Sequence, residues 1–185
     1  IHILQILMKR NRLCSSWAKV LGCVLLVVAL AACRSTVRVP DAAQPTAQQA
    51  SVFPDYRDVV IPPNIAPLNF QVNNPADEIV VQIKGQRGEP LVAEAEMAGK
   101  LRFDSTEWRR LLTDNRGGQL SVEVFTQHEG QWLQHPAWKW TVAAEPIDSF
   151  LTYRLIEPSY ELYRQLGLYE RNLTNFDEHP IYAVS

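Results

Sequence analysis

Most of this sequence lacks cysteine. Cys14, Cys23 and Cys33 are the only three among 185 residues, and none follows position 33. The rest of the chain therefore has no disulfide framework, no thiolate zinc site and no covalent Cys-x-x-Cys-His haem link. Acidic residues are missing from the first 40 positions, where Lys9, Arg10, Arg12, Lys19, Arg34 and Arg38 carry the only charges. Long apolar runs are missing too. The stretch from Val20 to Ala32 holds 13 positions, with Gly22 and Cys23 inside it, against the roughly 20 that a spanning helix needs. Glycine is scarce, and Gly85, Gly88 and Gly117-Gly118 all stand in turn contexts, which leaves no glycine-rich phosphate loop.

What the N-terminus does have is an ordered leader: basic residues, then an apolar run, then small residues, the sequence of parts in a secretory signal. Met8 before Lys9 and Arg10 is the expected start, with Ile1 to Leu7 as upstream residues. Leu30-Ala31-Ala32-Cys33 resembles the bacterial lipobox, in which the cysteine thiol receives a diacylglycerol. Residues 1–32 are thus expected to form the upstream stretch and a removable leader, and Cys33 to be lipidated. A single acyl chain binds membranes marginally, whereas two or more anchor stably. Arg34, in place of the aspartate of inner-membrane retention signals, favours the outer membrane. Residues 33–52 carry Pro40, Pro45 and several Gln with no apolar period, which predicts a flexible tether after the lipidated Cys33.

Beyond Lys19 there are 14 basic residues against all 20 acidic ones, a net charge of −6. That excludes a basic patch for nucleic acid. From Phe53 the pattern turns to β-structure. "VVIPPNIAPLNFQV" suits edge strands interrupted by prolines. "EIVVQIK", Glu78 to Lys84, alternates with Ile79, Val81 and Ile83 on one face, and "LVAEAEMAGKLRF" predicts two short strands turning at Gly99. In "DSTEWRRLL", Asp104 or Ser105 caps a short helix whose Trp108, Leu111 and Leu112 share a face. "QLSVEVFTQHEGQWLQHPAWKWTV" alternates again: Leu120, Val122 and Val124 run out, Glu129-Gly130 turns, and Trp138, Trp140 and Val142 return.

The expected fold is mainly β: an immunoglobulin-like antiparallel β-sandwich over 53–146 with a short helical insert. Over 147–185, Tyr160, Tyr163, Leu166 and Tyr169 step by three, which predicts one C-terminal amphipathic helix serving as a linker.

The chain offers little chemistry. His2, His128, His135 and His179 show no ligand spacing, so no metal site is expected. Asp55, Asp58, Asp148, Glu157, Asp177 and Glu178 form no recognisable acid–base pair or nucleophile arrangement, and no enzymatic role is expected. Trp132, Trp138 and Trp140 cluster near one hairpin. The shared face of Trp138 and Trp140 points to core, and Trp132 is the candidate for a sugar-stacking ligand site.

"DYRDVVIPPNIAPLNFQV", "GGQLSVEVF" and "IDSFLTYRLIEPSYELYRQLGLYERNLTNFDE" resemble the N-terminal part of a family of Gram-negative outer-membrane lipoproteins. Members of that family are labelled TolB-like or cytochrome c biosynthesis proteins. The match runs from about Asp55 to Glu178, and Tyr153 to Pro158 is its most specific segment. The resemblance implies a module leading into a haem-type segment and a β-propeller, neither of which this sequence contains, so no cofactor is expected in this chain. The functional expectation is a non-enzymatic, lipid-anchored envelope module acting in binding or assembly. Its expected partners are the membrane, a missing C-terminal domain of the same protein, and a glycan or an envelope protein. The alternatives are a carbohydrate-binding surface lipoprotein, and an accessory module of an envelope enzyme or haem protein.

Overall fold

A computed structural model describes residues 37–155 and 167–183. Among the described residues, twelve strands, a single 3₁₀ turn and one helix succeed one another: β1 (Gln44–Pro45), β2 (Val52–Phe53), β3 (Val60–Ile61), β4 (Gln71–Val72), β5 (Glu78–Lys84), β6 (Leu91–Glu94), the turn Met97–Gly99, α1 (Ser105–Asp114), β7 (Gln119–His128), β8 (Gln131–Gln134), β9 (Trp138–Val142), β10 (Phe150–Leu155), β11 (Gly167–Asn172) and β12 (Glu178–Ala183).

The expected mainly-β, sandwich-like architecture is what forms. Its main layer is an open sheet in the order β1-β8-β7-β5-β6, with β9 also on β7 and β3 outside β9. The long strand β7 organises it. One of its edges pairs with β5 from Glu78↔Gln127 to Lys84↔Ser121, and the other is shared, Gln119–Val122 with β9 and Phe125–His128 with β8. The long pairings are antiparallel, while the short contacts β1–β8 and β3–β9 are parallel.

Two-residue alternation decides which face is dry. Ile79, Val81 and Ile83 stand beside Leu120, Val122 and Val124, and Trp138, Trp140 and Val142 extend the same apolar face. A second layer covers it, built from α1 and the small β2–β4 ribbon with Phe70, Leu101 and Phe103. Trp108 and Trp140 meet edge to face at 5.9 Å, Phe70 abuts Trp140 at 6.4 Å, and Trp108 stacks on Phe103 at 5.9 Å. Full burial of such side chains stabilises the fold by about 1.5–3 kcal/mol each.

The helical insert begins where its cap predicts. Asp104 Oδ1 accepts from the backbone N–H of Thr106 at 2.9 Å and of Glu107 at 3.0 Å. Trp108, Leu111 and Leu112 turn inward. The helix stops at Asn115, a buried amide whose Nδ2 donates to the carbonyls of Leu111 and Arg87, both at 2.9 Å.

Two expectations need correction. The tether over 33–52 becomes a docked strap from Gln44 onward. β1 pairs with β8, Thr46 N donates to Gln134 O at 2.9 Å, Ala50 is fully buried, and Ser51 N donates to Asn74 Oδ1 at 2.7 Å. Its polar composition hid this, because the strap is held mainly through its backbone on the edge of β8 rather than by apolar side chains. The sandwich domain therefore starts before residue 53.

The second correction concerns the C-terminal amphipathic helix over 147–185. Its described parts form a three-stranded antiparallel sheet, β10-β11-β12. Gly167, a poor helix residue, and the β-favouring Tyr169 enter β11, whose backbone is satisfied by strands on both sides. Tyr160, Tyr163 and Leu166, the rest of the proposed stripe, lie outside the described residues. So do the leader, Met8 and Cys33. Among the described residues no helix is long and apolar enough to cross a membrane.

Candidate functional site

The tryptophans divide as their strand positions dictate. Trp138 and Trp140 are 5% and 0% exposed and belong to the core. Trp132 lies on β8 opposite Gln127, near the end of the hairpin, and is half-buried. A continuous aromatic platform is therefore not assembled at this hairpin, and stacking would fall to Trp132 alone.

The histidines do not converge. His128 is exposed beside the hairpin turn. His135 is buried, with Nε2 2.9 Å from Thr126 Oγ1 and Nδ1 2.9 Å from Gln48 O. His179 pairs with Glu170 at 3.2 Å. Among the described residues no group of three or more His, Cys, Asp or Glu side chains could hold a metal ion. The carboxylates are equally dispersed. Asp55 pairs with Arg57 at 2.9 Å, Asp58 caps the N–H of Lys139 at 3.4 Å, and Asp177 accepts from Asn175 Nδ2 at 2.7 Å. Glu157 lies outside the described residues.

The densest polar grouping belongs to the C-terminal sheet, where sequence reading expected a helix. Register places Tyr153 directly opposite Tyr169, and the rings stack at 6.0 Å with an interplanar angle of 23°. Arg171, two residues further on the same face, sets its guanidinium 5.9 Å from the Tyr153 ring centre. Glu178, opposite Arg171 on β12, accepts from both the Tyr153 hydroxyl and the Arg171 guanidinium. These bonds hold the Glu178 carboxyl below its ordinary value, first through the Tyr153 hydroxyl and then through Arg171. Losing its proton would break the bond to Glu178, so the Tyr153 phenol is pushed up. Glu178 raises Arg171 in the same way.

Glu178 is exposed, whereas Tyr153 and Arg171 are partly buried. The acid accepts from both the phenol and the guanidinium and so ties the three strands together, while Arg171 Nε stays without a partner among the described residues. Around them the sheet exposes apolar side chains on both faces. Phe150, Leu151, Leu155 and Ile181 are about half exposed, and Tyr182 is 66% exposed. A sheet normally covers at least one face, so apolar exposure on both is unusual. The alternation Leu151, Tyr153, Leu155 carried a period-two signal for a strand here, but the trio itself could be seen only once the register of three strands was known.

A separate concavity of about 500 Å³ lies between the β4–β5 connection and the segment after β6, and Asp77, Glu78, Glu94 and Glu96 give it an acidic rim. Asp77 accepts from the N–H of Glu129 at 2.9 Å, and Glu96 pairs with Arg102 at 3.4 Å, so two of the four are already engaged. No protein-family model, curated protein or solved structure matches the chain.

Proposed function

We propose that this chain is a lipid-anchored module of the bacterial cell envelope that acts in binding or assembly rather than in catalysis. Leu30-Ala31-Ala32-Cys33 at the end of a basic and apolar leader supports attachment through Cys33, and Arg34 supports the outer membrane. The observation that carries the binding part is the sheet β10-β11-β12, with Phe150, Leu151, Leu155, Ile181 and Tyr182 exposed. The partner that suits it is an envelope protein, or a further domain of the same polypeptide, that brings an apolar face. The TolB-like resemblance agrees with this role and rests on the segments quoted for it. Carbohydrate binding has less support, because two of its three tryptophans are in the core.

Mass spectrometry of the protein extracted from bacterial membranes tests the anchor. The expected product begins at Cys33 with the mass of a diacylglycerol and an acyl chain added, and Cys33→Ala moves the protein to the soluble fraction. A membrane-extracted product with an unmodified Cys33 would overturn the anchoring.

A further inference from the structure

Where α1 approaches the loops that lead to the C-terminal sheet, Pro63, Asn64, Arg109, Thr113, Arg116, Pro146 and Thr174 line a cleft of about 430 Å³. Its charge is one-sided. Arg109 and Arg116 are its only ionisable residues among the described ones, and neither forms an ion pair with a described carboxylate. Arg109 and Thr113 share a helix face, one turn apart, opposite the buried Trp108, Leu111 and Leu112. Arg116 follows the helix end, where its Nε donates to Ala144 O at 2.6 Å. That bond fixes the plane of the guanidinium and leaves its two terminal nitrogens as a fork.

The two hydroxyls of the cleft have already given away their hydrogens. The Thr113 hydroxyl donates to Arg109 O at 2.7 Å, and the Thr174 hydroxyl donates to Asn172 Oδ1 at 2.8 Å. Asn64 gives one amide hydrogen to the Ile147 carbonyl and accepts from the Ile147 N–H, and keeps its second amide hydrogen. The uncommitted donors are therefore the guanidinium N–H groups and one Asn64 amide hydrogen, and the uncommitted acceptors include the hydroxyl lone pairs. Pro63 and Pro146 add apolar ring edges. A bare anion would not fill this space.

We infer that this cleft binds a small molecule in which an oxyanion, carboxylate or phosphate, is joined to a hydroxyl-bearing body. The arginines take the oxyanion, the two threonine hydroxyls accept from the body's hydroxyls, and the prolines pack against its carbon skeleton. The site is independent of the envelope reading, since it uses neither Cys33 nor the exposed faces of the C-terminal sheet.

Titrations of the full chain in a non-ionic detergent, followed by amide chemical shifts, test it with three probes: glucuronate, glucose and inorganic phosphate. Glucuronate is expected to saturate, shifting amides around Thr113, Arg116 and Thr174. Phosphate should compete with it, and glucose should not bind. A charge-assisted bond of about 1.5–3 kcal/mol corresponds to a loss of about tenfold or more. Arg109→Ala, at an exposed helix position, is expected to weaken binding by that factor, and Arg116→Lys, which keeps the charge but removes the fork, should do the same. Saturation by phosphate without glucuronate would show a bare-anion site and overturn the hydroxyl-bearing ligand. Glucose binding as well as glucuronate, no saturation by either anion, or binding unchanged in Arg109→Ala would each overturn the proposal.

Discussion

Asn64 holds Ile147 by both halves of its backbone: Nδ2 donates to the Ile147 carbonyl at 2.8 Å, and Oδ1 accepts from its N–H at 3.0 Å. A two-point clamp of this kind fixes orientation as well as distance. It sits where the chain leaves β9 for β10, beside a second tie in which Ala66 N donates to Leu173 O at 2.8 Å. Asn64→Ala removes two partly buried bonds, a loss of about 1–3 kcal/mol. The loss should fall on the C-terminal sheet. Hydrogen exchange should quicken in β10, β11 and β12 and leave β5 and β7 as they were. Equal quickening in both would show that the clamp supports the whole fold rather than this attachment.

His135 ties the strap to the sheet. Gln48 O can only accept, so Nδ1 carries the hydrogen toward it, and the Thr126 hydroxyl is left to donate to Nε2. His135→Ala deletes both bonds and leaves a buried hole, with an expected cost of about 2–4 kcal/mol. Limited proteolysis provides the local check. Cleavage should appear between Gln44 and Ala50 in the variant at temperatures where the core remains folded. A strap that resists cleavage in the variant would mean that the pairing of β1 with β8 is sufficient to hold it.

Glu178 sets an acid limit on the C-terminal sheet. Its carboxyl lies below the ordinary 4.5 in the folded chain, because Tyr153 and Arg171 both favour the charged form. A group depressed on folding contributes stability above its unfolded value, and that contribution disappears as the pH falls through the folded value. The expected result is that cross-strand contacts between Tyr153 and Tyr169, followed by NMR, weaken below about pH 4. In Glu178→Gln they should be weaker at neutral pH and lose this acid step. An unchanged acid step in that variant would assign the titration to another carboxylate.

Gly99 and Gly130 both have positive φ, +72° and +79°, but their surroundings differ. A Cβ on Gly99 would lie 2.1 Å from Val72 O, a backbone atom that cannot step aside, whereas a Cβ on Gly130 would meet nothing within 4 Å. Gly130→Ala should cost only the backbone penalty of about 1 kcal/mol. Gly99→Ala should cost clearly more, because the β4 backbone must move as well. Urea midpoints measured at constant m compare the two directly. Equal midpoints would mean that β4 gives way freely.

Where the sandwich could be read from the sequence, local pattern and long-range packing agreed. Glu78–Lys84 alternates because one of its faces is dry, and Asp104 announces α1 because its side chain satisfies the first helical N–H groups. Trp138 and Trp140 were legible as core from their shared face. The misreadings arose where partners are remote. The strap is held through the edge of β8, some ninety residues away along the chain, and its polar side chains carry no trace of that. At Tyr169, a step of three from Leu166 resembled a helical stripe, but the partner that decides its conformation is Tyr153 on another strand. The polar trio on that sheet and the arginine cleft beside α1 both depend on register and loop placement, which no single segment encodes.

Docking of the strap also sets a length. With Cys33 as the proposed attachment point, the chain up to Gln44 spans 11 residues, which even at full extension cover no more than about 40 Å. Had the chain been free as far as Phe53, the limit would have been nearly twice that. A short leash confines the domain to a thin layer above the lipid and raises its effective concentration toward anything in the same layer. Contacts too weak to persist between freely diffusing molecules become sufficient there, and a partner that shares the membrane has a large advantage over one that does not.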